Sequence, residues 1–158
     1  MGEKNKLLNS EELSDKNPQT PTYKDALELA TKAHTGQKRW NGEDYITHPI
    51  AVSNAFDDET HKIVAVMHDV IEDTNLDARK LNVLGYPVEI INVLNLLTRD
   101  KKRQSYLNYI LEIKDWSKLA TEVKIEDLKH NLSDLKNGSM RDKYLMALYI
   151  LRRKDKGR

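Results

Sequence analysis

Cysteine is absent from the 158 residues. That removes thiol nucleophiles, Cys-ligated zinc and disulfide frameworks, and it fits a reducing cytosol. A charge surplus is missing too, since 26 Lys and Arg nearly cancel 25 Asp and Glu to leave +1. No broad field draws in nucleic acid or an anionic membrane, so neither is expected as a partner. The opening stretch, "MGEKNKLLNSEELSDKNPQT", holds only a short apolar pair in a polar run. It contains neither a signal-peptide core nor a membrane anchor. Its Met-Gly does not complete a myristoylation signal, because Lys6 stands where Ser or Thr is usual. The reading is a soluble, cytoplasmic protein with a flexible arm over residues 1–20, one domain over 21–154, and a flexible end over 155–158.

Sustained polar and apolar alternation is lacking as well, and with it any βαβ pattern or internal repeat. What is present from Pro21 onward is helical spacing, which predicts an all-α bundle of about seven to eight helices. The expected helices run over 22–34, 48–56, 59–74, 77–84, 87–98, 105–114, 117–135 and 140–154. Gly36 and Gly42 flank a basic and aromatic loop, Gly85 and Pro87 form a stop and a restart, and Asn137-Gly138 precede the last helix. Leu145, Leu148, Ile150 and Leu151 are the expected core stripe of that helix.

With thiols excluded, chemistry falls to His, Asp, Glu, Lys and Arg. Three stretches concentrate them. On a continuous helix, "MHDVIEDTN" puts His68, Asp69, Glu72 and Asp73 within an arc of about 140°. The pairs His68/Glu72 and Asp69/Asp73 are each four apart and share a face where an ion could be reached. An ordinary amphipathic helix has the same polar arc, and for this stretch alone a solvated face is the better reading. In "KIEDLKHNLSDL", Asp127 and Asn131 border the stripe of Ile125, Leu128, Leu132 and Leu135, whereas His130 is expected to turn away and be exposed. A hydrogen-bonded pair between helices is as good an account of Asp127 and Asn131 as a functional one. In "AHTGQKRWNGEDYITHPI", His48 precedes Pro49 at a helix start. Arg39 beside Trp40 is suited to a base or a phosphate, although such loop residues also occur without a ligand.

Taken together, two imidazoles and two carboxylates make a mixed nitrogen and oxygen set suited to a divalent ion such as manganese, iron or zinc. The three stretches, in this order, resemble the metal-dependent phosphohydrolases of the HD superfamily. The closer likeness, over roughly residues 22–151, is to the hydrolase domain of the RelA/SpoT family, which removes pyrophosphate from the 3′ position of the alarmones ppGpp and pppGpp in the stringent response.

That resemblance implies His48, His68, Asp69 and Asp127 as metal ligands, with manganese the usual ion. It implies Glu72 and Asp73 as the pair that orients and activates the attacking water. Arg39 falls where the family packs an arginine on guanine, Asn131 where an asparagine contacts the nucleotide, and Lys143-Tyr144 match the family's last-helix "KY". Lys38 and Lys143, with Lys124, are further expected phosphate contacts. Three features depart from the family: a shorter segment between His48 and His68, Trp40 in place of a frequent lysine, and "DLKHN" in place of "DRLHN". On the length of 158 residues, no synthetase, TGS or ACT region is expected beside this domain. The same set admits a hydrolase of another nucleotide phosphate, or a module that senses a nucleotide without hydrolysing it.

Overall fold

The computed structural model describes residues 19–154. The expected arm over 1–20 falls almost wholly outside them, as does the end over 155–158. Among these described residues nine helical elements follow one another: α1 (Tyr23–Ala33), α2 (Thr47–Ser53), α3 (Glu59–Met67), α4 (Val70–Asp73), α5 (Ala78–Val83), α6 (Val88–Leu97), α7 (Tyr106–Trp116), α8 (Lys118–Asp134) and α9 (Ser139–Arg152). Among the described residues there is no strand, only an isolated bridge between Lys38 and Asp44. The all-α expectation therefore holds.

Several starts are written locally. Thr22 and Asp25 cap α1 reciprocally, side chain to backbone in both directions. The carboxylate of Asp58 accepts from the His61 amide at the head of α3. Ser117 ends α7 in extended backbone and caps α8 through the Ala120 amide, so a single residue turns the chain from one helix into the next.

α3 is the pillar of the bundle. Ile63, Val64, Ala65, Val66 and Met67 are all buried, so the second half of this helix is apolar around its whole circumference. It packs against α1, α2, α6 and α8, while α8 also lies against α7 and α9. The ends of α3 are therefore the places where polar groups meet the interior.

Two expectations change here. The predicted helix 59–74 is not continuous: it breaks at His68 and Asp69, with Asp69 at φ −107° and ψ 0°, and resumes as the one-turn α4. The His68 amide reaches only the carbonyl three residues back, at 3.5 Å, before the Asp73-to-Asp69 bond restores the α-helical pattern. In α9 the inward row is Tyr144, Ala147, Leu148 and Leu151, and Leu145 is exposed. The tyrosine's ring takes the inward place expected of Leu145, while Leu148, Ile150 and Leu151 stand against the core as expected.

Candidate metal centre and adjoining basic pocket

The break after α3 aims two neighbouring side chains at one point. His68 caps α3 and Asp69 begins the next turn, while His48 stands at the head of α2 and Asp127 in the middle of α8. Ligand atoms of His48, His68 and Asp69 lie within 4.8 Å of one another. Asp127 closes the group, its Oδ1 3.0 Å from His48 Nε2 and 3.6 Å from His68 Nε2. His48, His68 and Asp127 are all buried, so the solvated-face reading fails for His68. Asp127 does not border a stripe but belongs to the buried row of Ala120, Val123 and Leu128.

Each ligand candidate is held from behind. His68 Nδ1 donates to the Ala65 carbonyl at 2.7 Å, which leaves Nε2 as the lone-pair nitrogen. That Nε2 is buried, 2.9 Å from Asp69 Oδ2, and has no hydrogen-bond partner. The Tyr45 hydroxyl donates to Asp69 Oδ2. Lys124 Nζ donates to Asp127 Oδ2 at 2.6 Å and Asn131 Nδ2 to Asp127 Oδ1 at 2.7 Å. An orphaned imidazole nitrogen facing a second imidazole and two carboxylates fits a divalent cation of the nitrogen and oxygen class.

The electrostatics make the same demand. Burial pulls the His68 imidazole down, yet the charges of Asp69 and Asp127 raise its pKa well above the usual value. Burial pushes Asp127 up, but Lys124 and the two imidazoles hold it well below the carboxylate range. Asp69 is likewise held low, the charge of His68 and the Tyr45 hydroxyl outweighing burial. A proton on His68 and a metal ion would answer the same pull, so metal entry would release that proton.

Beyond Asp69 the group opens into a cavity of about 220 Å³ lined by Glu72, Arg99, Lys101, Lys124, Lys143 and three tyrosines, Tyr106, Tyr109 and Tyr144. Glu72 Oε1 accepts from the Arg99 amide at 2.8 Å and ties α4 to the loop after α6. Asp73 follows on the same turn. Its side chain is exposed at the surface, yet partial desolvation first, then the charges of Asp69 and Glu72, push its pKa up to about 6.

Of the expected substrate contacts, Lys143 lines this cavity, its Nζ 4.6 Å from the Tyr106 ring centre. Asn131 is turned onto Asp127. Arg39 is buried, pairs with Asp134 at 3.1 Å and stacks on Trp40 at 5.3 Å. Lys38 is exposed and pairs with Asp44 at 2.5 Å. The expectation for His130 is overturned: it is half-buried, with Nδ1 2.7 Å from His48 Nδ1. Three residues after Asp127, it lies on the same helical face, and that spacing was the available signal. Tyr45, Arg99 and Lys101 received no role from the sequence, because each acts through a partner distant in the chain.

The chain is 32% identical over 136 aligned positions to a guanosine-3′,5′-bis(diphosphate) 3′-pyrophosphohydrolase of Borreliella burgdorferi, covering 72% of this chain and 20% of that protein. It is 34% identical over 138 positions to the bifunctional (p)ppGpp synthase/hydrolase SpoT of Escherichia coli, covering 78% of this chain and 19% of that protein. The chain thus spans about a fifth of the length of these relatives. Among solved structures it is similar to a metazoan ortholog of SpoT that hydrolyses ppGpp, with a TM-score of 0.66, 24% identity and 82% of each chain covered. At that identity the likeness concerns the fold. No protein-family model matches the chain.

Proposed function

From the premise that this chain has the fold of the SpoT ortholog and the three motifs of the RelA/SpoT-type hydrolase domain, we propose that it is a metal-dependent phosphohydrolase. Its substrate is a guanosine 3′,5′-bis(diphosphate)-type nucleotide, from which it releases the 3′-pyrophosphate. The observation that carries the proposal is the buried, unpartnered Nε2 of His68 set against His48, Asp69 and Asp127. These four residues are the proposed ligands, and Mn²⁺ the proposed ion. A divalent ion there supplies charge neutralisation at phosphate and lowers the pKa of water.

The protein's own groups do the rest. Asp73, with its pKa raised to about 6, is charged at neutral pH yet basic enough to take a proton from the attacking water. Glu72, fixed by the Arg99 amide, orients that water from the adjoining position. The water oxygen bonds to the phosphorus attached to O3′, the P–O3′ bond breaks, and the electron pair left on O3′ takes up a proton to give the 3′-hydroxyl. The products are the nucleoside 5′-diphosphate and pyrophosphate. Lys124, Lys143, Arg99 and Lys101 are the cations available to phosphate oxygens in the cavity, which accounts for local positive charge in a nearly neutral chain.

A second reading keeps the chemistry and changes the base. It draws on Arg39, whose guanidinium is engaged by Asp134 and which does not line the cavity. Pyrophosphate release from ppGpp, measured beside a panel of other nucleotide phosphates, separates the two. Turnover of ppGpp above the panel supports the first reading, and activity confined to other nucleotides removes it.

A further inference from the structure

The two imidazoles of the centre are secured differently. His68 Nδ1 donates to a backbone carbonyl, an obligate acceptor, so its tautomer is fixed by the main chain. His48 Nδ1 faces another imidazole nitrogen, His130 Nδ1 at 2.7 Å, with ring centres 4.9 Å apart. An imidazole nitrogen can donate or accept, so that contact alone does not choose which nitrogen of His48 carries the hydrogen. On the other side, His48 Nε2 lies 3.0 Å from Asp127 Oδ1. With its hydrogen on Nε2, His48 would donate to Asp127 and have no lone pair for a cation. With the hydrogen on Nδ1, it donates to His130 and presents Nε2 to the centre.

We propose that His130 is a positioning residue of the metal centre: it accepts the Nδ1 hydrogen of His48 and thereby holds His48 in the ligating tautomer. α8 then serves the centre twice, through Asp127 and, one turn on, through the residue that steadies the facing ring. The inference rests on the proposed metal site but not on the identity of the nucleotide.

The test is metal binding without substrate. The full chain is titrated with Mn²⁺, the free ion being followed by electron paramagnetic resonance, and the visible spectrum of the Co²⁺-loaded protein reports the ligand field. His130→Phe keeps a ring and removes the acceptor, and is expected to weaken Mn²⁺ binding about 10- to 100-fold and to alter the Co²⁺ spectrum. His130→Gln restores an acceptor and is expected to recover part of the affinity. His130→Ala, which leaves space at a half-buried position, is expected to regain affinity on adding imidazole. Wild-type affinity in both His130→Phe and His130→Ala overturns the proposal. So does equal weakening in all three variants without rescue by Gln or imidazole, which is the signature of a merely structural role. A wild type that binds neither ion removes the metal reading itself, and the inference with it.

Discussion

α3 carries a histidine near each end, and both reach across to α8. At the head, His61 meets Glu122, and at the tail, His68 meets Asp127. Both histidines stand between two carboxylates, and in both the carboxylates raise the imidazole pKa against the pull of burial. The difference is in what is left over. His61 has both nitrogens satisfied, Nε2 by Glu122 at 2.7 Å and Nδ1 by Asp58 at 2.8 Å, with Phe56 stacked on the ring and Lys118 on the far side of Glu122. His68 has one nitrogen on a carbonyl and the other buried between Asp69 and Asp127 without a hydrogen bond to either. The same residue types thus make a closed clasp at one end and an unmet demand for a cation at the other. Burial and hydrogen-bond satisfaction, not composition, separate them.

Removal of a ligand separates the two ends of α3 most sharply. Asp69→Asn is expected to abolish tight Mn²⁺ binding and to lower turnover about 10³-fold, the equivalent of several kcal/mol of charge stabilisation. His61→Ala leaves both unchanged. Next comes the pair that handles water. Glu72→Gln with Asp73→Asn is expected to cost about 10²- to 10⁴-fold in kcat while Mn²⁺ still binds, which titration beside kinetics would show. Equal rates in wild type and double variant would remove the catalytic assignment.

A smaller effect follows from pH. Asp73 must be ionised to accept a proton, so kcat/KM should fall on acidification with a midpoint at or below about 6, since a bound cation lowers the pKa further. Asp73→Asn should erase that limb.

The smallest effect belongs to the clasp. The folded-state pKa of His61 is raised, so its stabilising contribution is fully present below the ordinary value of 6.5 and is lost as pH rises through the folded value. His61→Ala is therefore expected to lower Tm at pH 5.5 by about 2–4 °C, in keeping with ~1 kcal/mol for a partly exposed pair, and by little at pH 9. A Tm loss independent of pH would contradict the charge-based account of this end.

What could be read from the sequence divides along similar lines. Helix positions were legible because apolar spacing, Gly85-Pro87 and Asn137-Gly138 act locally. His48, His68, Asp69 and Asp127 could be named, and the structure gathers them. The break between α3 and α4 could not, because "VAVMHDVIED" keeps an unbroken helical spacing and contains neither Gly nor Pro. Leu145 and Tyr144 exchanged places for a related reason: both are apolar enough for the stripe, and only packing against Tyr106 and the core decides. Tyr45 and Arg99 stayed hidden because their partners, Asp69 and Glu72, lie 24 and 27 residues away. His130 was hidden only by the choice of helical face.

Metal-dependent pyrophosphate release is tested by product identification after incubating the full chain with ppGpp and Mn²⁺, using wild type and Asp69→Asn in parallel. GDP and pyrophosphate are expected in equal amounts from the wild type, neither after chelation of the metal, and neither above background from the variant. Metal-loaded wild type that leaves ppGpp intact, or a variant that releases pyrophosphate at the wild-type rate, would contradict metal-dependent hydrolysis at this centre.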